Sequence, residues 1–420
     1  MKPGLSPRIT ACKFLGRVLQ QGQSLDDVFA AEENLSPQDT AFVRAMVMTT
    51  LRHLGQIDKT LKPLSKRPIH KIKPPHLLNI LRLGTAQLLC MDSSAAHAAV
   101  DLSVDMAAKN RKTAYAKGMV NAILRRIGRE NITLAGTAED NIPEWLWKTW
   151  CKDYGEGTAQ QIAGGSLKEA LLDITVKNSD EREKWAEALE AEILPTGTLR
   201  CKKATGRIFE LPGFGEGAWW VQDASSAIPV QLLAQGEALS GKHVLDLCAA
   251  PGGKTLQLAA LGAKVTAVDK SAKRLARLHE NLERTGLAQN VTVVEADVTS
   301  WQPEEKADYV LLDAPCSATG TIRRHPDLLH LKSSESIKSL SDIQQRAFEN
   351  ASKMLKDGGR MVYCVCSIDK REGAGHTVPE GLTPDPISGF PLESNEKGNI
   401  TILPHMQDGM DGFYIARFRR

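Results

Sequence analysis

Three short stretches place reactive side chains at the ends of apolar runs. In "LLDAPCSATG" (311–320) the run ends in Asp313, and Cys316 follows one proline later. In "GRMVYCVCS" (359–367) a second run ends in Cys366, with Cys364 two residues before it. In "VLDLCAAPGGKT" (244–255) a third leads into a turn made of Cys248, Ala249, Ala250, Pro251, Gly252, Gly253 and Lys254. Acids and thiols at the carboxyl ends of buried strands sit where open parallel sheets keep their ligands. A thiolate there can add to an electron-poor carbon. Most free cysteines are instead small core residues, and Cys364, inside its run, keeps that reading.

The turn at 248–254 brings backbone N–H groups and a helix start to a ligand. A phosphate cradle of the Walker type needs glycine where Cys248 stands, and no G-x-G-x-x-G can be written over these residues. The surviving ligand is a nucleoside without phosphate. Asp269, closing "KVTAVD", is placed to accept hydrogen bonds from two ribose hydroxyls, and Asp297, closing "VVEADV", to take an adenine amino group. A strand-end Asp also caps helices and turns, but acids at 246, 269 and 297 mark three successive strands. S-adenosylmethionine, with adenine, ribose and a charged amino-acid tail, fits this set.

The elements that must hold these residues change in character along the chain. Residues 5–130 read as helix throughout, with apolar spacings of three and four in "DTAFVRAMVMTTLRHLGQIDKTL" and "LLNILRLGTAQLLC", and breaks at "ENLSPQ", "KRPIHKIKPPH" and "KNRKTAYAKG". Residues 1–130 hold 20 Lys/Arg against 10 Asp/Glu, so the remainder, with 33 against 40, is acidic. A basic helical front points to a polyanion, most simply nucleic acid. A small mixed α+β connector follows at 136–222, where Trp145, Trp147, Trp150, Trp219 and Trp220 read as packing residues. From 223 to 420 short apolar strands alternate with helices, which implies a doubly wound, mostly parallel α/β sheet.

The expected domains are therefore 1–135, 136–222 and 223–420. No apolar run reaches the roughly 18 residues of a membrane span, and "MKPGLSPRIT" lacks a signal-peptide core, so a cytoplasmic protein with no membrane partner is expected. The eight cysteines show no C-x-x-C spacing, which argues for free thiols and against a metal site. The segment 373–400, rich in Gly, Pro and polar residues, reads as a loop.

The motifs "LDLCAAPGGKT", "VDKSAKRL", "LLDAPCSATGTIRRHPD", "GGRMVYCVCSI" and "LPHMQDGMDGFYIARF" resemble the RNA cytosine-5 methyltransferases of the RsmB/Sun family. "SLDDVF", "ILRLGTAQLLC", "HAAVDLSVDMA" and "KGMVNAILRRIGR" resemble the NusB-like domain fused to its bacterial members. The resemblance implies a class I S-adenosylmethionine-dependent methyltransferase sheet behind an all-α RNA-binding domain. It also implies 16S ribosomal RNA, naked or in a partial particle, as partner, with cytosine 967 as target. By the same resemblance Cys366 is the nucleophile, Cys316 assists product release, and Asp313 lies between cofactor and base. Residues 248–254 wrap the methionine part, while Asp269 binds ribose and Asp297 lies by adenine. Two positions depart from the family: Val365 stands for the usual Thr, and in "DKREGAG" only Glu372 matches an acid-rich stretch. Arg323, Arg324 and His325 are either a solvated loop or phosphate contacts. The competing reading is an RNA-binding regulator whose sheet domain binds cofactor without turnover.

Overall fold

The computed structural model describes every residue except Met1, 33–34, 92–95, 203–206 and Asp408. Part of the break expected at "ENLSPQ" and one residue of "LPHMQDGMDGFYIARF" therefore lie outside the described residues. The chain forms two compact units, Met1–Lys168 with Ile322–Ser333, and Glu169–Thr321 with Ser334–Arg420.

In the first unit the described residues form helices and no strands, including Leu5–Gln21, Pro37–Arg52, Pro75–Leu89, Ala96–Lys109 and Lys117–Arg129. The last of these shows why. Val120, Ile123, Leu124 and Ile127 recur at helical spacing and are buried, while Arg125, Arg126 and Arg129 face out. Each such apolar side chain is worth about 1.5–3 kcal/mol on burial. Ser24 and Ser36 cap their helices by accepting from Asp27 N and Asp39 N.

The connector expected at 136–222 is not a unit of its own. Its helices Glu144–Tyr154 and Glu156–Ser166 join the first unit, and its strands join the second. The physical cause is a close approach of 138–141 to Leu54–Leu61. Gly55 leaves room for Asp140, whose carbonyl oxygen would lie 1.8 Å from a Cβ there, and Asn141 Nδ2 donates to Gln56 Oε1 at 2.9 Å. Trp150, Trp219 and Trp220 are buried, as their packing role requires, and Trp145 and Trp147 are half-buried.

The segment Ile322–Ser333 also belongs to the helical unit. Leu25 N donates to Asp327 Oδ2 at 3.0 Å, and Arg52 Nη2 donates to the carbonyl of Arg323 at 2.9 Å. Arg323 is buried, which rules out a solvated loop there, and Arg324 and His325 are half-buried.

The second unit opens with β1 (Leu172–Val176), β2 (Ala191–Ile193), β3 (Leu199–Cys201) and β4 (Trp219–Val221), a small antiparallel sheet in the order β2-β3-β1-β4. The larger sheet takes β5 (His243–Leu247), β6 (Lys264–Asp269), β7 (Val291–Glu295), β8 (Ala307–Asp313), β9 (Leu355–Val365), β10 (Thr383–Pro384), β11 (Ile400–Ile402) and β12 (Phe413–Arg419). Its order is β10-β12-β9-β8-β5-β6-β7, with β11 against β12. Strands β5 to β9 pair in parallel, and β12 is antiparallel to β9. The strand order runs outward in both directions from the β5–β8 pair, so the crevice at their carboxyl ends is the topological switch point. All three opening stretches end near it. The 373–400 segment is irregular apart from β10, yet Leu382 and Ile387 are buried, so it is packed.

Candidate active site

At the end of β5 the chain turns through Cys248, whose φ of 63° is uncommon for a side-chain-bearing residue, and Gly252, at φ 110°. Glycine is required at 252, because a Cβ would lie 2.3 Å from Leu278 Cδ1. The helix Gly253–Ala260 then starts, and it aims Lys254 back at the sheet. Lys254 Nζ lies 2.7 Å from Asp313 Oδ2 at the end of β8. Burial opposes the ammonium charge, but Asp313, Cys364 and Asp246 outweigh it and raise the Lys254 pKa. The turn's buried lysine is thus held in an ion pair with a half-buried carboxylate. Cys364 Sγ points at the other oxygen, Asp313 Oδ1, at 3.6 Å, and burial raises its pKa.

Asp269, at the end of β6, is buried. Its Oδ2 accepts from Ala250 N at 3.2 Å, its Oδ1 accepts from Ser271 N at 3.0 Å, and Arg274 lies 3.3 Å away. It therefore ties the β5 turn to the β6 turn as well as facing the crevice. Asp297 lies two residues beyond β7 rather than at its end. It is exposed, and its Oδ1 accepts from Thr299 N and Thr299 Oγ1, which lower its pKa. A cavity of about 300 Å³ is lined by Cys248, Asp269, Asp297, Asp313, Cys316 and Cys366 among others, near the lower end of the roughly 300–1,000 Å³ of small-molecule pockets. Ala249, Ala250, Pro251, Gly253 and Lys254 line a neighbouring cavity of about 230 Å³, which Asp313 also reaches.

The two thiols meet in the first cavity. Cys316 Sγ is 3.4 Å from Cys366 Sγ, and the hydrogen bond between them, then burial, raise the Cys316 pKa. What holds the two cysteine loops together is legible only in three dimensions. Glu372 is fully buried and accepts from Ser317 N at 2.8 Å, from Ser317 Oγ, from Ser367 Oγ at 2.5 Å and from Gln344 Nε2 at 3.0 Å. Ser317 and Ser367 each follow a site cysteine, so one carboxylate clamps both. Burial raises its pKa against these four hydrogen bonds. Gly412 completes the cluster: its N donates to the carbonyl of Gly320 at 2.8 Å, an approach that a Cβ on Gly320 would block.

Two family models match the chain: 16S rRNA methyltransferase RsmB/F over residues 234–419, and the NusB family over 5–129. The ribosomal RNA small subunit methyltransferase B of Yersinia pestis is 34% identical over 99% of this chain and 99% of its own, and that of Erwinia tasmaniensis is 33% identical at the same coverage. The chain belongs to the ribosomal RNA small subunit methyltransferase B family. Among solved structures, PH0851 shares its fold at 24% identity, with a TM-score of 0.75 over 99% of both chains. The fold of NSun6 from Pyrococcus horikoshii, solved with SFG, is shared at 21% identity and a TM-score of 0.57, over 66% of this chain and 98% of that one.

As a member of the methyltransferase B family the protein is an S-adenosylmethionine-dependent RNA methyltransferase. No helix among the described residues is long and apolar enough to cross a membrane.

Asp246 in β5 supplies a test of the site's electrostatics in this family member. It is fully buried, its Oδ2 accepts from Thr255 Oγ1 at 2.5 Å, and its Oδ1 has no partner. Burial pushes its pKa up to about 7, against the pull of Thr255 and Lys254, with Asp313 and Asp269 adding to the rise. The folded state thus holds a proton that the unfolded chain releases near pH 4. Stability should fall by up to about 1.4 kcal/mol per pH unit between about 4 and 7, and level off above. Urea melts across this range should show the slope, and Asp246→Asn should flatten it. An unchanged slope in the variant would assign the pH dependence to other groups.

Proposed function

We propose that the protein transfers a methyl group from S-adenosylmethionine to carbon 5 of cytosine 967 of 16S ribosomal RNA in the cytoplasm, through a covalent adduct on Cys366. The observation that carries this reading is the pair of thiols, 3.4 Å apart, in the cavity that Asp269, Asp297 and Asp313 also line. The names of the relatives matched over their whole length support small-subunit ribosomal RNA as the substrate, and the target cytosine follows the family resemblance of the motifs.

Carbon 5 of cytosine is a weak nucleophile. Addition of the Cys366 thiolate to carbon 6 breaks the 5,6 double bond and places its electron pair where it can attack an electrophilic methyl group. S-adenosylmethionine, when bound, supplies that methyl as a sulfonium. Asp313 would lie between the cofactor and the base, with the ammonium of Lys254, 2.7 Å from its Oδ2, supplying positive charge beside the ring as negative charge develops on it. Transfer of the carbon 5 proton to a base, water or the Cys316 sulfur as thiolate, then re-forms the double bond while Cys366 departs as thiolate with the electron pair of the carbon–sulfur bond. The acid at 269 would hold the ribose hydroxyls, since an ionised carboxylate has more acceptor sites than its two backbone bonds use. Residues 248–254 would pass along the methionine part, and Asp297 would lie by adenine.

Asp269→Ala should weaken S-adenosylmethionine binding by about 1.5–3 kcal/mol in calorimetry on the free protein. Unchanged affinity would leave Asp269 as a turn-forming residue alone. For the reaction, labelled methyl groups should enter unmodified ribosomal RNA, and duplex DNA should not compete. RNA binding without transfer would favour a non-catalytic regulator instead.

A further inference from the structure

The basic excess of the first 130 residues is concentrated on two loops. Residues 62–75 hold five Lys/Arg and 109–117 hold four, with no Asp or Glu in either, against a net excess of ten for the whole stretch. All nine cations are exposed. Elsewhere in the unit several basic side chains are paired with acids, as in Arg82–Asp58 at 2.6 Å and Lys59–Asp140 at 2.9 Å. None of the nine forms an ion pair among the described residues.

Tyr115 joins the two loops. Its hydroxyl donates to the carbonyl of Lys73 at 2.7 Å, while the residue is 76% exposed. Its neighbours are fixed: Thr113 is buried with Oγ1 donating to the carbonyl of Ala107 at 2.8 Å, and Ala116 is buried. The ring is thus anchored at its tip and its base while lying open to solvent. A large aromatic surface left in water, braced and flanked by unpaired cations, has no packing role in the unit.

We propose that this face binds a single-stranded segment of the RNA substrate, with phosphates on Lys71, Lys73, Arg111, Lys112 and Lys117 and one unpaired base stacked on Tyr115. Stacking needs a base free of its duplex partner, which favours single strands over helices. The inference rests on RNA being the substrate, and it adds where and in what form the RNA is held.

The test uses the full-length protein, an unstructured 12-nucleotide RNA probe, an RNA duplex of the same length and unmodified 16S ribosomal RNA. Tyr115→Ala should weaken binding of the single strand about tenfold with the salt dependence unchanged, and Tyr115→Phe, which keeps the ring, should lose far less. Replacing Lys71 and Lys112 together by Ala should lower the log–log salt slope by about 1.4. With ribosomal RNA these variants should raise KM and leave kcat in place, because the thiol site is intact. Equal affinity of Tyr115→Ala and the parent for the single strand, or a preference of the parent for duplex, would overturn the proposal. Failure of the parent to methylate ribosomal RNA would overturn the catalytic reading instead, and the probe data would separate the two.

Discussion

Cys366→Ala should yield neither adduct nor methylated RNA, whereas Cys316→Ala should accumulate a protein–RNA complex that survives denaturing electrophoresis and already carries the methyl group. The two thiols are 3.4 Å apart, close enough to act on one base, and in the proposed mechanism one forms the covalent intermediate while the other helps to leave it. Loss of the attacking thiol removes the whole acceleration that covalent addition supplies. Loss of the second lets the reaction run to the methylated adduct and stop. A trapped complex with Cys366→Ala, and none with Cys316→Ala, would transfer the nucleophile to the "DAPCSATG" loop.

Glu372→Ala should cost about 3–5 kcal/mol of stability and most of the turnover. The carboxylate accepts four hydrogen bonds in a site closed to water, and each buried donor left without an acceptor costs roughly 1–3 kcal/mol. Its loss frees Ser317 and Ser367, and with them the loops that set the spacing of Cys316 and Cys366. Chemical denaturation would measure the first effect. For the second, kcat should fall while the KM for RNA stays near the parent value, and Glu372→Gln, which keeps one acceptor oxygen, should recover part of both. A variant as stable and active as the parent would show that the sulfur pair is held by its own strands.

The switch-point crevice was legible because each strand ending at it is an apolar run closed by an acid or a thiol, a pattern that survives any packing detail. The helical front was legible for the same kind of reason: its buried residues recur at helical spacing, as in Val120, Ile123, Leu124 and Ile127. Residues whose roles depend on distant partners were not. Nothing in "DKREGAG" says that Glu372 reaches Ser317 across 55 positions, although a lone acid retained among altered neighbours was a signal. Lys254 reads as part of a ligand turn, and its pairing with Asp313 across 59 positions appears only once β5 and β8 are adjacent. The division of the connector at residue 168, and the place of Ile322–Ser333 in the helical unit, rest on contacts such as Leu25 with Asp327, which no local pattern encodes. One consequence is that removing residues 1–168 would strip the partners from a segment that begins six residues after Cys316, so a truncated chain is a poor probe of RNA binding.

Methylation of one ribosomal cytosine at carbon 5 is tested most directly by bisulfite sequencing of 16S ribosomal RNA from cells lacking the gene, before and after incubation with the purified protein and S-adenosylmethionine. Cytosine 967 should convert fully before incubation and resist conversion after it, and the Cys366→Ala protein should restore nothing. Full conversion after incubation with active protein, or resistance that is already present without the gene, would contradict the assignment.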